Sequence, residues 1–417
     1  MKYVIVIPDG AADEPQDSLG GATPLEAAHV PHMDTIARRG VLGWADNVPK
    51  SLTAASDVAT LSLFGYDPLI FYTGRAPLEA RAMGIDLGPE DFAVRCNLVN
   101  SPRGIMADFT AGHISKAEGA SLVRCLQEAF GGPRQVKNAG GMINVSLEFH
   151  AGVSYRNLLI VRGFPQGGEA AALDNTTATQ APHDIPDLPF EPHLPKGAGA
   201  DWLNGIMRES QALFASHPVN QARLAQGKKP ATQCWLWGQG RAPALNSFEL
   251  RHGVRGAIIS AVDLVRGVGQ LIGWKRIDVP GATGYLDTDY AAKGQAAIEA
   301  LDGNDLVCVH VEAPDEASHE GRPDAKVSAL EQIDQHIVGP LLLALENKGD
   351  YRILIEPDHR TLLATRAHAH GPVPFALSGT GIAAPLVIPA GYHEKALSDN
   401  FQIQVGHLLL GTLMLRK

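Results

Sequence analysis

LVCVHVEAPDEASHE, Leu306–Glu320, changes character halfway along its length. Leu306-Val307-Cys308-Val309-His310-Val311 is apolar and β-branched, the signature of a strand buried on both faces of a parallel sheet. Beyond it the chain becomes an acidic, histidine-bearing turn. In an open α/β sheet, ligands bind outside the carboxyl ends of the strands. Asp315 and His319 stand at i and i+4, so a helix entered at this turn puts both on one face, within reach of one metal ion. Tyr351–His359, YRILIEPDH, repeats the design: an apolar run ends in the adjacent pair Asp358-His359. Two strands that deliver Asp and His to one edge predict a two-metal site.

Further residues of the same chemistry gather around this pair of strands. Tyr3–Ile7 is predicted as the first buried strand and ends in Asp9-Gly10, a third strand-end carboxylate in a dipeptide that otherwise marks a plain turn. In KSLTAASDVATLSLFGYDP, Lys50–Pro68, Ser56 is placed as the N-cap of a helix running to Gly65. Its hydroxyl would sit beside free N–H groups that also attract phosphate, so it is either a capping residue or a nucleophile. ATRAHAHGPVPFAL holds His368 and His370, one of which can return over the sheet edge. Three carboxylates with three imidazoles suit Mn²⁺ or Zn²⁺ better than Ca²⁺, which prefers oxygen. Two divalent ions bring about +4 against about −3 from the carboxylates, leaving a positive pocket that fits a phosphoryl group.

The whole chain sets limits on the alternatives. Its 417 residues exceed one ordinary core and predict two domains. A formal net charge of −10 argues against a nucleic-acid partner, which needs a basic face. Cys96, Cys125, Cys234 and Cys308 lie far apart without CxxC spacing, so reduced thiols in a cytoplasmic protein are expected. No leader pattern and no apolar span of membrane length is found in the sequence. Thr23-Pro24 opens helical material to Gly40. From Phe92 the texture turns α+β, with strands in FAVRCNLVN, MINVSLEF and VSYRNLLIVRG and a helix over Ser115–Phe130. Phe164–Gly199 is predicted as a long loop or lid, Asp201–His217 as a helix and Cys234–Trp237 as a short aromatic strand. The Gly238-Gln239-Gly240 run that ends it is too irregular for a dinucleotide fingerprint or a phosphate-binding glycine loop. The α/β rhythm resumes with a strand at Ala257–Ser260, and helices are expected over Lys293–Leu301, Lys326–Leu345 and Asn400–Met414. The predicted division is a core in residues 1–75 and 251–417, interrupted by an insert over 76–250.

MKYVIVIPDG, SDVATLSLFGYDP, VHVEAPDEASH, EPDH and HAHGPVPF, in this order over nearly the whole chain, resemble the archaeal-type cofactor-independent phosphoglycerate mutases of the alkaline phosphatase superfamily. The resemblance implies an α/β fold: an alkaline-phosphatase-like doubly wound sheet core with an inserted smaller α+β lid domain. It also implies a small phosphorylated substrate, a phosphoserine intermediate and two divalent ions, Mn²⁺ first, with Zn²⁺, Mg²⁺ or Co²⁺ as alternatives. Carried over by motif, Ser56 is the nucleophile, Asp9, Ser56, Asp358 and His359 hold one metal, and Asp315, His319 and His368 hold the other. His368 is preferred to His370 because the family's ligand stands four residues before the Pro-Val-Pro, the spacing of His368 from Pro372. Lys326 is a further catalytic candidate, and Arg95, His113 and Arg156 are candidates for substrate contact. Two segments depart from the family pattern. Ala369-His370-Gly371 replaces the usual threonine and acid or amide, and WLWGQG, Trp235–Gly240, lacks an expected arginine. Bacterial relatives with this aromatic version have been proposed to phosphorylate homoserine, which makes a homoserine kinase the second expectation.

Overall fold

The computed structural model describes residues 1–138, 141–163, 172–174, 176–396 and 402–414. The chain divides into two compact units, one formed by Met1–Tyr72 with Ala244–Lys417 and the other by Thr73–Pro243.

The first unit is built on an eight-stranded sheet whose order is Gln402–Ile403, Val41–Ala45, Val373–Gly379, Tyr351–Ile355, Lys2–Pro8, Leu306–Val311, Gly256–Ile259 and Lys275–Arg276. Lys2–Pro8 lies at the centre, parallel to Leu306–Val311 on one side and to Tyr351–Ile355 on the other. Val373–Gly379 alone runs against the rest, pairing antiparallel with both of its neighbours. Alternation along the central strands sends Val4, Val6, Val307, Val309 and Val311 into one core with Leu301, Leu330, Ile333 and Leu341 from the covering helices. Ile5, Ile7, Cys308 and His310 face the other side and are equally buried. Strands buried on both faces explain why these segments read as unbroken apolar runs.

The predicted helices are present with shifted limits. Thr23 forms a capping box with Glu26, but the helix it opens stops at Ala27, and Pro31 begins a second helix to Arg39. Lys293–Leu301 extends to Tyr290–Gly303. The single helix expected over Lys326–Leu345 is instead Pro323–Ile333, a π turn at Asp334–Val338 and Gly339–Lys348. Pro340 has no N–H for the carbonyl of His336, and the wider turn absorbs the loss. That carbonyl packs on Gly294, where a Cβ would meet it at 2.2 Å. Of the helix expected over Asn400–Met414, residues 400–401 lie outside the described residues; the remainder is a short strand, a 3-10 turn at Gly406–Leu408 and the helix Leu409–Met414.

The second unit is a five-stranded antiparallel sheet in the order Gly132–Asn138, Gly141–Val153, Arg156–Gly163, Phe92–Val99 and Gln233–Gly240. Lys116–Phe130, capped by Ser115, and Ala200–Ser216 pack their apolar faces into its core, among Leu98, Leu122, Leu126, Leu203, Phe214 and Trp235. Of the loop expected over Phe164–Gly199, residues 164–171 and 175 lie outside the described residues, and the rest includes two short 3-10 turns, Pro182–Asp184 and Glu191–His193. Among the described residues, no helix is long and apolar enough to cross a membrane, and all four cysteines are free.

Candidate active site

Three parallel strands of the first unit end side by side, and each delivers ligand-type residues. Lys2–Pro8 ends at Asp9, Leu306–Val311 runs into the helix Ala313–His319, and Tyr351–Ile355 leads to Asp358 and His359. The adjoining hairpin pairs Arg360–Leu362 with Ala367–Ala369, and its register sets His368 opposite Thr361. His368 thereby returns to the sheet edge, whereas His370 is exposed. Ser56 is the first residue of the helix Ser56–Leu63, with Ala55 at the N-cap, one position earlier than the sequence reading placed the cap.

Two ligand groups result. Asp9, Asp358 and His359 form a fully buried triad, and Asp315, His319 and His368 form a second, partly open one. Ser56 Oγ stands 3.0 Å from His359 Nε2. The rings of His359 and His368 have centroids 4.2 Å apart, so the triads abut.

Hydrogen bonding shows what these groups are prepared to hold. Asp9 Oδ2 is bound by His310 Nε2 at 2.7 Å, and Asp358 Oδ1 accepts from the backbone N–H groups of Gly10 and His359 at 3.1 and 2.9 Å. Each carboxylate is thus tied through one oxygen, while Asp9 Oδ1 and Asp358 Oδ2 are buried without a hydrogen-bond partner. Orphaned buried carboxylate oxygens are costly unless something positive meets them. In the second triad, His319 Nδ1 lies 2.9 Å from the carbonyl of Arg366 and His368 Nδ1 lies 3.1 Å from that of Ala54. Both Nδ1 atoms must therefore carry hydrogen, which leaves lone pairs on two Nε2 atoms only 3.1 Å apart. Only a proton or a metal ion reconciles that approach. The residues present fit a metal.

Electrostatics agree. Burial raises the Asp9 carboxyl well above its usual range, with Asp358, Glu312 and Asp315 adding to the effect. Burial would also raise Asp315, but the close approach of the His319 and His368 rings holds it well below the carboxylate range. The bond to Asp315 in turn pushes His319 up to about 9. Buried acids crowded together without countercharge are the pattern that cations relieve.

Asp9, His310 and Glu312 form a third cluster of ligand-type atoms. Both ring nitrogens of His310 are already engaged, Nε2 by Asp9 and Nδ1 by Ser260 Oγ at 3.1 Å. Burial pushes His310 down to about 4, so the ring is neutral and donates its one hydrogen to Asp9. His310 is therefore placed to orient Asp9, with neither ring nitrogen left over for an ion. The sequence carried a signal for it, since a lone histidine in a β-branched buried strand needs a polar partner.

The remaining candidates are placed differently. Lys326 is fully buried, with Nζ 2.8 Å from Asp13 Oδ2 and 2.9 Å from the carbonyl of Thr361. The amine joins two loops of the site. Arg95 belongs to the second unit, where it is buried, pairs with Glu79 at 3.0 Å and stacks on Trp237 at 4.3 Å. His113 and Arg156 are exposed in the same unit. The former stands in a turn at φ 48° and the latter lies over the Tyr155 ring.

Comparison with known proteins converges on one family. Residues 37–220 match the family model described as 2,3-bisphosphoglycerate-independent phosphoglycerate mutase. A protein of that name from Methanothrix thermoacetophila is 46% identical, over 93% of this chain and 93% of its own. A probable one from Geobacter sulfurreducens is 45% identical over 99% of this chain and all of its own. Among solved structures, a Pyrococcus horikoshii protein superposes with a TM-score of 0.78 at 27% identity, over 99% of this chain and 96% of that one. The cofactor-independent phosphoglycerate mutase of Thermoplasma acidophilum gives 0.66 at 24% identity, over 99% of both chains, and shows the shared α/β fold. None of these names supports the homoserine reading. With full-length identity at this level, the chain belongs to the 2,3-bisphosphoglycerate-independent phosphoglycerate mutases, a family of isomerases.

Proposed function

We propose that the chain interconverts 3-phosphoglycerate and 2-phosphoglycerate through a phosphoserine at Ser56. The observation that carries this reading is the placement of Ser56 Oγ, 3.0 Å from His359 Nε2, beside two abutting triads with orphaned ligand atoms. Asp9, Ser56, Asp358 and His359 would hold one divalent ion, and Asp315, His319 and His368 the other. Mn²⁺ is the first expectation, with Zn²⁺, Mg²⁺ and Co²⁺ as alternatives. Bound ions of this kind lower the pKa of a nearby hydroxyl and offset charge on phosphoryl oxygens.

The rest falls to the chain itself. The helix start holds Oγ at the sheet edge, where the Oγ–phosphorus bond forms as the phosphorus–O3 bond breaks. The proton given up by Oγ ends on the freed glycerate hydroxyl. After glycerate reorients, the O2–phosphorus bond forms as the Oγ–phosphorus bond breaks, and the proton of the 2-hydroxyl ends on Oγ. His310 and the backbone N–H groups of Gly10 and His359 fix the carboxylates throughout, so no rearrangement of the protein is needed at each transfer. Arg95, His113 and Arg156 are proposed as substrate contacts, and the free thiols accord with a cytoplasmic setting.

The test offers Mn²⁺-loaded protein 3-phosphoglycerate without bisphosphoglycerate and follows 2-phosphoglycerate. Formation that chelator abolishes is the expected result. Ser56→Ala should lose turnover and keep most of its metal. ADP release from ATP that depends on homoserine, without mutase activity, would overturn the assignment.

A further inference from the structure

We propose that Thr361 is the positioning residue that joins the two metal half-sites through a single proton. The inference rests on the proposal that Asp315 and His359 are metal ligands. Thr361 is fully buried, and its hydroxyl touches one residue of each triad: Oγ1 lies 2.5 Å from Asp315 Oδ1 and 3.2 Å from His359 Nδ1. Its backbone is committed as well, with N–H donating to the carbonyl of Ala12 at 3.3 Å and C=O accepting from Lys326 Nζ at 2.9 Å.

The donor inventory fixes the direction of both bonds. A carboxylate that serves as a ligand is ionised and can only accept, so the one hydrogen of Thr361 goes to Asp315. Towards His359 the same oxygen can then only accept. His359 Nδ1 must therefore bear the ring hydrogen, and its Nε2 keeps a lone pair. That nitrogen is the one facing Ser56 Oγ at 3.0 Å and Asp358 Oδ2 at 3.2 Å. One hydroxyl thus sets the tautomer of a ligand in the buried triad and the orientation of the carboxylate central to the other. His319 and His368 turn Nδ1 to backbone carbonyls; His359 Nδ1 faces Thr361 Oγ1, and so its geometry is linked to that of Asp315.

The space around the hydroxyl is equally specific. A Cβ on Gly10, whose φ is +60°, would lie 2.5 Å from Thr361 Oγ1 and 2.6 Å from Asp315 Oδ1. The strand-end glycine leaves just enough room for this bridge, in a backbone conformation that side chains rarely adopt.

The experiment titrates Mn²⁺ into metal-free full-length protein by calorimetry, for the wild type, Thr361→Val and Thr361→Ser. Loss of such an outer partner typically weakens metal binding ~10- to 100-fold. Because the hydroxyl is shared, Thr361→Val should weaken both binding events by that factor, and Thr361→Ser should restore both. Weakening of one event alone, or of neither, overturns the inference while leaving the two-metal reading intact. A wild type that takes up no Mn²⁺ overturns both. Should Thr361→Val not fold, ¹⁵N spectra of the metal-free wild type decide without a variant. Hydrogen on His359 Nδ1 supports the assignment, and hydrogen on Nε2 refutes it.

Discussion

Replacing Lys326 with methionine tests how the site is braced. The ammonium lies 2.8 Å from Asp13 Oδ2, and both side chains are fully buried. Burial lowers the pKa of the amine, and the charge of Asp13 opposes that shift. With Lys326 gone, Asp13 keeps only the backbone N–H of Glu14 at 2.8 Å, that of Leu363 at 3.2 Å and the long contact from Gln16 at 3.4 Å. Removing one partner from such a pair costs about 3–5 kcal/mol, because the other charge stays buried and unmatched. Against a total stability of about 5–15 kcal/mol this is a large fraction, and it corresponds to a melting shift of roughly 10 °C. Urea unfolding of metal-free Lys326→Met, Asp13→Asn and the double variant measures it. The double variant should be more stable than Lys326→Met, since no bare charge remains, and should recover turnover as the loops regain their places. A loss below about 1 kcal/mol for Lys326→Met would refute the reasoning. So would a double variant as stable as the wild type yet inactive, which would give Lys326 a direct part in catalysis.

Other expectations follow from the same geometry. Gly10→Ala forces a side chain against Thr361 and Asp315 at a positive φ, and should cost about 1–3 kcal/mol with loss of Mn²⁺ binding; wild-type binding would refute the close approach. Glu356 is buried against Asn47, and burial pushes it up to about 8, with Asp358 adding to the effect. A carboxyl raised in the folded state adds no penalty below its unfolded pKa; its cost grows as pH rises from that value to the folded one, and levels off above it. Metal-free Glu356→Gln should therefore match the wild type near pH 4.5 and exceed it by about 5 kcal/mol at pH 9, as urea melts at the two pH values would show. Chelation should lower the wild-type unfolding free energy by about 2.7 kcal/mol for each ion previously held at a hundred times its Kd, and a calorimetric melt unchanged by chelator would count against resident metal.

The sheet edge was legible in the sequence because buried parallel strands are written as apolar runs, and a polar residue at the end of such a run has few other reasons to be there. Asp9, Asp315, Asp358 and His359 were found on that ground, and the i, i+4 spacing of His319 is realised in a single short helix. His368 needed more: the family spacing before Pro372 singled it out from His370, and the hairpin register that sets it opposite Thr361 is what returns it to the edge. The connecting residues were hidden for physical reasons. His310 and Thr361 act through partners far away in the chain, and a threonine in a short strand looks like any β-branched filler. Lys326 sits where a helix could equally present it to water, and only the fold reveals Asp13 beneath it. The break at Pro31 could have been anticipated from the proline. The π turn at Asp334 was not visible, because its cause combines Pro340 with the closeness of Gly294 on another helix.

The central strand of the first unit has implications for the order in which this chain acquires its shape. Asp9 meets His310 across 301 residues, and both neighbours of Lys2–Pro8 come from the carboxyl-terminal portion. Closing so long a loop carries an entropic cost before any contact rewards it, and pairings between distant segments form slowly. Thr73–Pro243, by contrast, is one continuous stretch with its own core. During synthesis the inserted unit can mature while the first strand is still waiting for its partners. Ser56 then stays without His359 until residue 359 has emerged, so a nascent or truncated chain lacks the pairing on which the proposed nucleophile depends.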